Sequence, residues 1–183
     1  MRHRVAIVGA GPVGVTAALE LARHGIASVV LDDKATVNDG SRAICLSRHS
    51  LEILQQLGVE APFVAKGLGW TRGRTYFRDR EIFRFEMPHS EQERFLPMIN
   101  LQQQYIEKFL IDKAAESEPV ELRWQSAVTG VSQDASGVSL EVSTPRATIA
   151  SPATTCWPPT APAAWRARHW ASPCTARPTR AAT

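Results

Sequence analysis

The sequence predicts an α/β fold whose first unit is a strand, a tight turn, a helix and a second strand parallel to the first. Three observations predict it. Val5-Ala6-Ile7-Val8 is an uninterrupted apolar run, as expected of a parallel strand covered on both faces. Val15, Ala18, Leu19 and Ala22 recur at i, i+3, i+4 and i+7, the apolar face of a helix that Gly25 ends. Ser28 to Leu31 then supply a second buried strand, closed by Asp32.

The turn between strand and helix reads Gly9-Ala10-Gly11-Pro12-Val13-Gly14, a G-x-G-x-x-G pattern in its full strand–helix–strand context. Gly9 permits the tight turn, Gly11 lets backbone approach a diphosphate, and Gly14 lets helix and strand pack closely. Pro12 falls in the first helical turn, where its missing N–H costs nothing. The remaining amides there, that of Val13 among them, point at an anion with the helix dipole behind them. Asp32 lies 18 positions after Gly14, near the spacing at which a carboxylate meets a ribose hydroxyl. An acid there favours a free 2′-hydroxyl, hence FAD or NAD over NADP. The competing reading, a glycine-rich turn of no function, leaves the acid and both strands unexplained. The unit is Rossmann-like.

After a polar loop, Lys34 to Gly40, comes Ser41-Arg42-Ala43-Ile44-Cys45-Leu46. A helix follows, capped by Ser47 or Ser50, lined by Leu51, Leu54 and Leu57, and ended by Gly58. Arg74 to Arg78 and Ile82 to Phe85 predict an inserted hairpin within residues 72–86. Leu101 to Ala115 is a helix with Ile106, Phe109, Leu110 and Ala114 on one face, stopped at Glu118-Pro119. Val120 to Trp124, Ala127 to Ser132 and Val138 to Ser143 predict strands, the last two joined by a tight turn at Ser136-Gly137.

This order resembles the FAD-dependent aromatic hydroxylases, single-component flavin monooxygenases that include 4-hydroxybenzoate and 3-(3-hydroxyphenyl)propionate hydroxylases. Three elements carry the resemblance: the glycine turn with Asp32; Ser41-Arg42-Ala43 leading into Leu51-Glu52-x-Leu54-x-x-Leu57-Gly58; and Gln103-x-x-Ile106-Glu107-x-x-Leu110. The stretch from Met87-Pro88-His89-Ser90 through Met98-Ile99-Asn100-Leu101 looks most like the 3-(3-hydroxyphenyl)propionate branch. The resemblance covers residues 3–144, the N-terminal part of a family whose members run to about twice this length or more. It implies a truncated Rossmann-like FAD-binding unit with an inserted hairpin and meander. It also implies Arg42 near flavin and diphosphate, Gln103 at the ribityl chain, NADH or NADPH as electron donor, and a phenolic small molecule as substrate.

Each residue also has a bland reading. Arg42 could be a solvated loop arginine, and Gln103 could simply cap its helix. The five histidines lack metal spacing. Tyr76, Phe77, Phe83 and Phe85 alternate as strand residues do, and could pack or border a substrate pocket. The arginines at 72, 74, 78, 80 and 84 read as a solvated hairpin face and not as a nucleic-acid patch. Two other function classes stay open: an FAD- or NAD-dependent oxidoreductase of amine oxidase or reductase type, and a non-enzymatic nucleotide-binding or basic-tail interaction module.

The net charge of +3 hides a split. Residues 1–144 hold 16 of the 21 basic side chains and all 18 acids, and residues 145–183 hold five arginines and no acid. Cys45 stands alone before the tail, consistent with a reducing compartment. Arg2-His3-Arg4 before an apolar stretch imitates a secretory leader, but the glycine turn explains its interruptions. With no segment long enough to cross a bilayer, the expectation is a cytoplasmic protein.

Residues 145–183 change character: 39 residues with 11 Ala, seven Pro, seven Thr and no Gly, Leu, Val, Phe, Asp or Glu. Such a stretch is expected to lie outside the fold as a disordered tail. Three tryptophans and two cysteines fit ordinary disorder poorly, and a displaced reading frame fits better. Taking the third base of each codon with the first two of the next, Cys156-Trp157-Pro158 encodes Leu-Ala without freedom. Permitted codons from Ala153 to Ala164 spell D-Y-L-L-A-A-D-G-A-R-S, close to the family's second fingerprint, a strand ending in D-G. In the family that strand lies beside the first one, so its loss is expected to leave an unpaired apolar edge.

Overall fold

The computed structural model describes residues 3–37, 45–135 and 137–157. In chain order the elements are β1 (His3–Val8), α1 (Pro12–Arg23), β2 (Ser28–Leu31), β3 (Cys45–Ser47), α2 (Arg48–Gln56), α3 (Glu60–Lys66), β4 (Leu68–Trp70), β5 (Arg72–Phe77), β6 (Arg80–Glu86), β7 (Met98–Asn100), α4 (Gln103–Ala115), β8 (Val120–Arg123), β9 (Ala127–Asp134), β10 (Gly137–Ser143) and β11 (Thr148–Trp157). The main sheet runs β8-β2-β1-β11-β10-β9. Its first four strands are parallel, and β10 and β9 add antiparallel neighbours.

Alternation along the strands divides the core. Ile7 and Val30 face the helices, joining Val15, Ala18 and Leu19 of α1, Leu51 and Leu54 of α2, Phe63 of α3 and Ile106, Leu110 and Ala114 of α4. Ala6, Val29 and Leu31 face the other way, onto Leu140, Val142, Ala153 and Cys156. Burial on both faces is why β1 and β2 read as continuous apolar runs. At the end of α1, Gly25 (φ 70°) donates to Ala22 O and Ile26 N–H to Leu21 O, satisfying its last carbonyls. Arg23 and His24, at the same end, both pair with Glu20.

Two expectations need correction. Residues 145–183 do not lie wholly outside the fold: Thr148–Trp157 is β11, parallel to β1 and antiparallel to β10. The first strand therefore has no open edge. Ser151, Ala153 and Cys156 are buried, and the exposed positions go to residues such as Pro152 and Thr154. Small side chains thus fill an inward face that needs no large aliphatic one. Pro152 is tolerated because pairing with β1 begins only at Ala153, so Pro152 has a strand on one side alone. Residues 158–183 lie outside the described residues, as do Ser41, Arg42, Ala43 and Ser136.

The structure also contains α3 and the small sheet β3-β7-β4, which the sequence does not predict. A seven-residue helix and three-residue strands are too short to show a period. The inserted hairpin is present as β5–β6, tightest at Arg78-Asp79, with Arg78 at φ 56°.

Candidate functional site

The β1–α1 turn is fixed at both ends. Gly9 takes a φ of 109°, open to glycine, and its N–H donates to Leu31 O at 2.7 Å, tying the turn to the end of β2. A Cβ on Gly14 would stand 2.0 Å from Gly9 O and 3.3 Å from Ile7 Cγ2, so only a bare Cα lets α1 start this close to the turn. Gly11 caps the helix in an extended conformation and Pro12 is its first residue.

The first bond of the helical ladder runs from Val15 N–H to Gly11 O at 3.0 Å. The amides of Val13 and Gly14 precede it and are not used by the ladder. They carry the positive end of the helix dipole, and no acidic side chain lies in that first turn. The Val13 side chain is exposed. This end of α1 is built to face an anion.

Asp32 follows β2 directly. Its Oδ2 accepts the Ala10 N–H at 2.7 Å and its Oδ1 accepts the Lys34 N–H at 2.9 Å. Its main chain is held as well, the N–H donating to Arg123 O at 3.0 Å and the carbonyl accepting Ser126 N–H at 2.7 Å. The carboxylate is thus fastened to the glycine turn, and the main chain of Asp32 to the end of β8 and the residues after it. Each of its oxygens has lone-pair capacity for a second hydrogen bond, so a sugar hydroxyl can still donate to it.

Gln103 opens α4. Topology places it at the same end of the sheet. β1, β2 and β8 are parallel, and α1 and α4 each run back before the next parallel strand, so both helices begin at the carboxyl edge. Gln103 Nε2 donates to Glu107 Oε1 at 2.6 Å, and Glu107 is only 1% exposed. Gln102, not Gln103, occupies the cap position, and no side chain caps the helix, so Gln103 is not its capping residue.

Of the residues singled out in the sequence, Gly9, Gly11, Pro12, Val13, Gly14 and Asp32 are brought together. Gln103 stands on the neighbouring helix at the same edge, and Arg42 lies outside the described residues. Sequence reasoning missed Ala10, whose backbone amide joins turn to carboxylate, since any residue type offers that group. Glu107 was missed too, and its one signal in the sequence is an acid four positions after Gln103 on the same helical face. Among the described residues, no cluster of His, Cys, Asp or Glu could hold a metal ion and no helix is long and apolar enough to cross a membrane. The donor set fits a dinucleotide: spare amides for a diphosphate, and a fixed carboxylate for a sugar diol.

Comparison with known proteins agrees with that chemistry. Residues 2–150 match the FAD binding domain family. The chain is 27% identical over 141 residues to a 3-(3-hydroxy-phenyl)propionate/3-hydroxycinnamic acid hydroxylase of Mycolicibacterium smegmatis, covering 77% of this chain and 25% of that protein. It is 34% identical over 134 residues to a 6-hydroxy-3-succinoylpyridine 3-monooxygenase of Pseudomonas putida, covering 70% and 33%. The chain thus spans about a quarter to a third of these relatives' length. Its fold is similar to the crystal structure of a p-nitrophenol 4-monooxygenase from Pseudomonas putida, with a TM-score of 0.76, 22% identity, and coverage of 84% of this chain and 40% of that one. With the nucleotide-binding turn, the acid at the end of β2 and the family match all on one stretch of polypeptide, the chain belongs to the FAD binding domain family of flavin monooxygenases, of which it carries the N-terminal part.

Proposed function

We propose that this chain is the FAD-binding part of an NADH- or NADPH-dependent monooxygenase that hydroxylates a phenolic aromatic acid, and that it is inactive alone. One observation carries the binding reading: the spare amides of α1 and the carboxylate of Asp32 converge at the carboxyl edge of parallel strands, joined through the Ala10 N–H.

In this reading Val13 and Gly14 donate to the diphosphate, with Gly9, Gly11 and Pro12 shaping the approach. Asp32 accepts from the adenosine ribose. Gln103 meets the ribityl chain, and Arg42 lies near flavin and diphosphate, a role taken from the family resemblance. The flavin, when bound, supplies the redox and oxygen chemistry. The chain's own part is to bind and orient it, and no side chain is assigned as acid or base. Hydroxylases and monooxygenases of aromatic compounds among the relatives support the substrate class. The share of their length spanned here supports inactivity in isolation.

The displaced reading frame belongs to the same proposal. β11 then stands where the family's own strand would run, built from the residues the shifted frame encodes. Purified chain is expected to bind FAD, quenching its fluorescence, and to leave a phenol and NADH unconsumed. Hydroxylated product from this chain alone would refute the inactivity, and resequencing the codons for residues 140–160 tests the frame.

A further inference from the structure

Resting on the assignment of Gln103 to the cofactor's polyol chain, we propose that Glu107 is a positioning residue: it fixes the polarity of the Gln103 amide, turning the amide carbonyl toward the ligand so that it takes a hydroxyl and not a phosphate oxygen. Glu107 lies one turn into α4 and is 1% exposed, flanked on its helix by Ile106 and Leu110, which belong to the main core. A carboxylate so placed needs donors. Gln103 Nε2 gives one at 2.6 Å, from the position four residues earlier on the same helical face.

A carboxylate offers acceptors only, so the nitrogen end of the amide is the end that faces it. The amide is planar, and its carbonyl oxygen is therefore directed away from Glu107. That oxygen has two lone pairs, and can receive a ligand hydroxyl alongside any protein donor. A phosphate oxygen, itself an acceptor, gains nothing there. The two helix starts at this edge thus divide the ligand. α1 presents amides without an acid and suits the diphosphate, and α4 presents an amide backed by an acid and suits the polyol.

The test titrates the full 183-residue chain with FAD and with ADP, which shares the diphosphate and ribose but lacks polyol and flavin. Glu107→Gln keeps the shape and lets the amide at 103 turn either way. It should weaken FAD about tenfold, the loss of one hydrogen bond at the upper end of its range, and leave ADP unchanged. Gln103→Ala, at a half-buried position, should show the same FAD-selective loss, and the double variant should be no worse than either single one. Unchanged FAD affinity in E107Q, equal losses for FAD and ADP, or additive losses in the double variant would each overturn the proposal. Should E107Q fail to fold, unchanged FAD affinity in Q103A overturns it alone. Wild-type chain that binds neither ligand overturns the binding reading beneath it, an outcome distinct from any of these.

Discussion

Replacing Gly14 by alanine adds one methyl group at the place where α1 meets the glycine turn. The new Cβ would sit 2.0 Å from Gly9 O, against the 3.0 Å below which real Cβ contacts essentially never fall. Backbone must yield by about 1 Å, because the obstructing atom is a carbonyl and not the end of a flexible side chain; overpacking of this kind costs about 1–3 kcal/mol. Alanine's better helix propensity returns about 1 kcal/mol, which leaves a net loss of up to about 2 kcal/mol. In a chain of this size that lowers Tm by up to roughly 8 °C. The movement also carries the Gly14 amide away from the anion, so FAD affinity should fall together with stability. Gly25→Ala is the control: at φ 70° it is strained by about 1 kcal/mol, with nothing within 4 Å of the added Cβ and no role at the turn. Thermal melts and FAD titrations of both variants separate the effects. Gly14→Ala with wild-type Tm and affinity, or an equal FAD loss in Gly25→Ala, would refute the reasoning.

Four further outcomes follow from the structure. Asp32→Asn replaces two acceptors by one acceptor and one donor, opposing either the Ala10 or the Lys34 N–H; loss of a charge-assisted bond of about 1.5–3 kcal/mol should weaken FAD at least tenfold, read by fluorescence titration. Burial pushes the Cys156 thiol up to about 12 from its ordinary 9.0, so alkylation at pH 8 followed by peptide mapping should label exposed Cys45 and spare Cys156 until denaturant is added. The unfolded thiol ionises first, so that contribution to stability is present below pH 9 and is lost as pH rises from 9 toward 12. Ending the chain after Thr144 removes β11 and bares the edges of β1 and β10, so gel filtration should show aggregation; a soluble monomer with unchanged Tm would contradict the observed pairing.

The first unit was legible because each of its parts carries a separate signal. The apolar run of β1, the period of α1 and the acid at 32 agree with one another, and Gly9 and Gly14 occupy the sites where conformation or contact demands glycine. The small sheet was not legible, since β3, β4 and β7 pair through three residues each and alternation needs more. β11 was hidden for a different reason. Strand formation there rests on partners that bury Ser151, Ala153 and Cys156, a tertiary cause that composition argues against. At the site, spacing and side-chain chemistry pointed to Asp32 and the family resemblance to Gln103, whereas the Ala10 amide and the buried position of Glu107 emerge only once the chain is folded.

On the proposed reading, the start of α1 and the end of β2 together grip FAD. Backbone amide NMR of the full chain during FAD titration tests it most directly. The largest shifts are expected at Gly11, Val13, Gly14 and Asp32, with saturation at one FAD per chain; shifts centred on the β5–β6 hairpin, or none that saturate, would contradict it.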